Sequence, residues 1–169
     1  MKYTAICAAS VLALGVATAA QAESWDMPMA YAATNFHSEH GVIFADKVRE
    51  ATNGEIDITV HPGGSLFGGA DIKRAIQTGQ VPIGERLMSA HANENAVFAY
   101  DNLPFVATTY DDNTALWEAA KPTFNEALDE QNLVALYSCP WPGQGFYFNK
   151  EVNSSADVQG LKFRSYNAA

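Results

Sequence analysis

Ile56-Asp57-Ile58-Thr59-Val60-His61 decides the fold. Ile56, Ile58 and Val60 alternate with Asp57, Thr59 and His61, a period of two that puts the apolar side chains on one face of a strand. Pro62-Gly63-Gly64 ends it. On the N-terminal side, Phe44, Val48 and Ala51 recur at i, i+4 and i+7, so 39–52 reads as a helix with Ser38 as its N-cap and Asn53-Gly54 as its stop. Before that helix, 25–32 alternates large apolar residues with others and reads as a first strand. On the C-terminal side, Ile72, Ala75 and Ile76 mark a second helix ending at Thr78-Gly79, and 81–84 reads as a short third strand. Strand, helix, strand, helix, strand implies a largely parallel sheet with helices on its faces.

Further along, the pattern loosens. The stretch 85–109 is irregular and includes Leu103-Pro104-Phe105. Asp111 is placed to cap a helix running to Leu128, with Pro122 kinking or restarting it. Strands are expected at 133–137, 146–148 and 161–165, with a turn or single helical turn over 154–160. Pro140-Trp141-Pro142-Gly143 interrupts the series.

The opening residues stand apart. Lys2 precedes an apolar run from Ala5 to Ala20, and Ala20-Gln21-Ala22 gives the A-x-A pattern of a cleavage site. The run is short for a bilayer span, so 1–22 is expected to be a removed signal peptide, with the mature chain beginning at Glu23 in the periplasm. The 169-residue sequence carries 10 basic and 19 acidic residues, a formal charge of −9. Loss of Lys2 makes the mature chain more acidic still. With no basic cluster, nucleic acid is a poor partner and adhesion to anionic lipid is disfavoured. An anionic ligand is not excluded, because a few positive groups can dominate inside a cleft. Of the two cysteines, Cys7 lies in the apolar leader and Cys139 remains alone, so an ordinary core must hold the fold. At 48% hydrophobic residues that core is feasible.

Asp157-Val158-Gln159-Gly160-Leu161-Lys162-Phe163-Arg164, with Asn167 after it, resembles the signature of the substrate-binding proteins of tripartite ATP-independent periplasmic (TRAP) transporters, the DctP-type family. Residues 55–66, Gly79-Gln80-Val81-Pro82-Ile83-Gly84 and Leu103-Pro104-Phe105 resemble other family elements in the same order. The resemblance implies an α/β, two-lobed periplasmic binding protein that closes on a small organic acid and hands it to membrane permease subunits. It implies no catalysis and no cofactor. Residues 23–142 would form the first lobe and 143–169 the start of the second, with the remainder of that lobe beyond this chain. The full-length protein is expected to be a monomer.

Arg164 matches the family arginine that pairs with a ligand carboxylate. A guanidinium, always charged, fits a carboxylate with a rigid fork of donors. Taken alone, it would read as a surface arginine. Asn167 follows as in the family and either assists the same carboxylate or serves a turn. Many relatives carry a second arginine near Gln144. A neutral amide there disfavours a dicarboxylate and leans toward a hydroxylated monocarboxylate such as a sugar acid. Glu85 and Arg86 follow the third strand, where ligands of open α/β sheets bind; the alternative is a solvated ion pair. Trp141 either walls the cleft or packs a hinge. Phe36, His37 and Phe67, in loops after strands, are weaker candidates.

His37-Ser38-Glu39-His40 lacks the spacing of a zinc-binding H-E-x-x-H, so no metal site is expected. The G-x-S-x-G, Walker and G-x-G-x-x-G patterns are missing from the sequence. A secreted α/β enzyme acting on a small carboxylate and a ligand sensor that docks to a receptor are the competing readings.

Overall fold

A computed structural model describes residues 22–164. The leader expected over 1–22 lies, apart from Ala22, outside them, as does Asn167. Strand β1 (Glu23–Pro28) pairs in parallel with β2 (Ile56–His61), in a register running from Glu23 opposite Ile56 to Pro28 opposite His61. Helix α1 (Phe36–Ala51) is the crossover between them.

The period-two reading of β2 holds: Ile58 is buried while Thr59 is exposed. Met27, Met29, Ala45, Ile58 and Ile83 form the core between sheet and α1. Each large side chain fully buried there is worth about 1.5–3 kcal/mol. Gly41 permits the close approach, because a Cβ there would overlap the Met29 sulfur. The helix begins earlier than the sequence suggests. Asn35 is its N-cap, accepting from the His37 backbone N–H at 3.0 Å, while Ser38 sits inside the first turn and donates its hydroxyl to the Tyr31 carbonyl at 2.8 Å. Helix α2 (Ile72–Gln77) follows, with Ile72 and Ala75 buried.

The third strand expected at 81–84 is reduced to one parallel bridge between Met29 and Glu85, with Glu85 N–H donating to the Pro28 carbonyl at 3.1 Å. Pro82 has no N–H for a ladder. Gly84 is pressed so close that a Cβ would meet Ile72 Cγ2 at 2.9 Å. Val81 and Ile83 still enter the core. The segment therefore packs as a strand would without pairing as one.

Two short 3-10 turns, Met88–His91 and Ala96–Ala99, lead to helix α3 (Tyr110–Asp129). Thr109, not Asp111, caps α3, in a reciprocal capping box with Asp112, and the helix runs on through Pro122. Phe98, Phe124, Ala127 and Leu128 make a second core. Buried Lys73 on α2 joins the two parts by pairing with Glu94 and lying 5.9 Å over the Phe98 ring.

The strands expected at 133–137, 146–148 and 161–165 do not form among the described residues, while 155–158 makes the expected single turn. Their apolar and aromatic content suits these segments to a sheet, but a strand exists only when a neighbour supplies the ladder. Phe146, Phe148 and Phe163 instead cluster with one another, 5.7 to 6.5 Å between centroids, and stay partly exposed.

Candidate functional site

The carboxyl ends of β1 and β2, the start of α1 and the bridge at Glu85 meet at one place. Parallel strands point their carboxyl ends at this edge, and loops leaving it are free to carry polar groups. His37, in the first turn of α1, is only 3% exposed. Its Nδ1 lies 2.9 Å from Glu85 Oε1 in an ion-pair contact, and its Nε2 is buried with no hydrogen-bond partner. Glu85 Oε2 and Arg86 Nε are likewise buried without partners. Glu85 and Arg86 do not form the ion pair that was the alternative reading of them, among the described residues. Arg86 lies against Gly69, where a Cβ would come within 3.4 Å of its guanidinium.

Aromatic rings wall this polar floor. Trp141 sits 4.4 Å from His37, 5.1 Å from Tyr31 and 5.2 Å from Phe36, the last two edge-on. The Glu85 carboxylate is felt around it. Burial first, then the Glu85 charge, raises the Tyr31 hydroxyl above its ordinary pKa, with Arg86 opposing. The same two causes, burial leading, push Tyr137 up to about 12 and raise the Cys139 thiol. Cys139 lies 3.1 Å from His40 Nδ1. His37 and His40 thus face different partners, and they do not converge as a pair of metal ligands would.

The structure brings Glu85, Arg86 and Trp141 together. It does not bring Gln144 or Arg164 to them: both are exposed and make no hydrogen bond or ion pair among the described residues. Sequence reasoning gives His37 and Phe36 a low rank and passes over Tyr31. The signal that finds them is position, since all three lie just beyond the carboxyl end of β1, the rule that selects Glu85.

The DctP family, bacterial extracellular solute-binding protein, family 7, matches residues 29–169. The chain belongs to this family. It is similar to a solved marine metagenome TRAP solute-binding protein specific for pyroglutamate, with 71% identity, a TM-score of 0.84, and 87% of this chain matched to 48% of that one. It is also similar to a Bordetella pertussis extracytoplasmic solute receptor binding pyroglutamic acid, with 40% identity, a TM-score of 0.83, and 86% matched to 48%. Among curated proteins it matches a monocarboxylate 2-oxoacid-binding periplasmic protein of Nostoc sp., 26% identical over 71% of this chain and 34% of the relative. The chain therefore spans about half the length of its solved relatives. The α/β fold, with parallel strands flanked by helices, is the one these DctP-family proteins share with it.

Proposed function

We propose that the full-length protein is the periplasmic receptor of a TRAP transporter, and that it captures pyroglutamate for delivery to membrane permease subunits. The observation that carries this reading is the 71% identity, over 87% of the chain, to a protein specific for that ligand. Pyroglutamate has one carboxylate and a lactam with one N–H and one C=O. A single carboxylate calls for a single guanidinium, which suits Arg164 with neutral Gln144 in place of a second arginine. Asn167 assists the same carboxylate.

In this reading residues 23–142 form the first lobe and 143–169 begin the second. Glu85, Arg86 and Trp141 face the ligand from the first lobe, and Arg164, Gln144 and Asn167 from the second. Residues 1–22 direct export and are cleaved after Ala22. The protein binds and releases its ligand without transforming it, which fits a family of solute-binding proteins better than a secreted enzyme.

Titration calorimetry of the full-length protein with pyroglutamate, succinate and galacturonate tests the reading. Pyroglutamate should bind at least about tenfold more tightly than either, a difference of about 1.4 kcal/mol. Absence of pyroglutamate binding, or a preference for the dicarboxylate, overturns it.

A further inference from the structure

The floor of the cluster holds hydrogen-bonding capacity that the chain leaves unused. Glu85 presents Oε1 toward His37 and buries Oε2 with no donor. His37 Nε2 and Arg86 Nε are also unmatched. His37 is 3% exposed, and Trp141 covers it at 4.4 Å. Proteins leave few such groups unsatisfied, and low-dielectric surroundings raise the cost of each. Three such residues gathered at one edge of the sheet point to a ligand that completes them.

Their chemistry restricts what that ligand presents. An ionised carboxylate only accepts, so Glu85 Oε2 requires a donor. Arg86 Nε–H only donates, so it requires an acceptor. His37 Nδ1, 2.9 Å from Glu85 Oε1, directs its proton to that oxygen and so leaves Oε2 for the ligand. A second carboxylate at Oε2 would meet like charge, so the ligand's own carboxylate must point away from Glu85. An amide edge, N–H beside C=O, meets both requirements at once.

We propose that Glu85 Oε2, its partner oxygen held by His37, receives the lactam N–H of the bound ligand while Arg86 Nε–H faces its carbonyl, so that this subsite selects acids with an amide edge over acids of equal shape without one. The inference rests on the pyroglutamate reading above and adds to it the residues that discriminate the ring nitrogen.

The test compares pyroglutamate with 5-oxotetrahydrofuran-2-carboxylate, in which a ring oxygen replaces the N–H, by titration calorimetry on the full-length protein. The parent protein should prefer the lactam by at least about 30-fold, because the ring oxygen turns an acceptor toward the carboxylate. In Glu85→Gln the preference should fall to within about threefold, since a side-chain amide can accept from N–H or donate to the ring oxygen. A parent that binds both ligands equally, or a folded Glu85→Gln that keeps the full preference, overturns the proposal. Should Glu85→Gln fail to fold, the ratio in the parent decides alone. A parent that binds neither ligand removes the pyroglutamate reading itself, an outcome distinct from equal binding.

Discussion

Gly41 of α1 lies directly on Met29 at the end of β1, so close that a Cβ would overlap the methionine sulfur and come 2.8 Å from its terminal methyl. Met29 is fully buried and cannot swing into solvent. Alanine at 41 should gain about 1 kcal/mol of helix propensity. Overpacking should cost about 1–3 kcal/mol and outweigh it. Gly41→Ala is therefore expected to destabilise, read as a lower urea midpoint of the full-length protein. In a Met29→Ala background the obstacle is gone, and the same substitution should become stabilising. A sign that does not reverse would mean the contact is not what requires glycine.

Glu94 offers a pH test of the link between α2 and the second core. Its hydrogen bond from Lys73, foremost, holds its carboxyl below the usual range, with His91 adding to the effect and partial burial opposing it. A carboxyl with a lowered folded pKa contributes stability above its unfolded value, and that contribution is lost as pH falls through the folded value. Glu94→Gln should therefore flatten the acid limb of stability against pH below about 4.5. At neutral pH it should also destabilise, because Lys73 is buried and would lose its anion. Glu94 is 37% exposed. The loss should thus be about 1–3 kcal/mol, under the range for fully buried pairs. An unchanged acid limb would show that the pair adds nothing.

Export makes a third expectation. Periplasmic protein from cells expressing the full-length chain should show Glu23 as its N-terminus by mass spectrometry. Recovery of intact Met1 in the membrane fraction would contradict cleavage after Ala22.

Local periodicity makes α1 and β2 legible in the sequence, because the apolar faces of these elements are written in nearby residues, and a cap signal near Asp111 announces α3. Their ends are less so. Asn35 and Thr109 cap where Ser38 and Asp111 are expected, since a cap is chosen by backbone direction at the helix entry and several residues nearby have a suitable side chain. The segments at 81–84, 133–137, 146–148 and 161–165 share strand composition, yet composition states a preference and a ladder needs a partner. The polar floor is half legible. Glu85 follows from its position after a strand-like segment. His37 is brought to it by the turn of the chain into α1, a contact between distant residues that no local pattern announces.

The last expectation concerns Arg164 in the full-length protein. It is exposed and makes no hydrogen bond or ion pair among the described residues, so its guanidinium is not committed to holding this part of the fold. The proposed role is to take the ligand carboxylate in two charge-assisted hydrogen bonds once the lobes close and water is excluded. The half-buried Glu85 carboxylate repels that end of the ligand and so favours the same orientation. Removing one member of such a pair costs about 2–5 kcal/mol, largely because the other charge stays buried without a partner. Arg164→Ala should therefore weaken pyroglutamate binding by about 30-fold or more. Arg164→Lys should lose less, since an ammonium keeps the charge but not the planar fork. Gln144→Ala should lose least, as a neutral hydrogen bond is worth about 0.5–1.5 kcal/mol. Calorimetry on the three variants gives the order, and unchanged melting temperatures would show that each loss lies in binding. An Arg164→Ala protein that binds within threefold of the parent would place the carboxylate anchor at another residue.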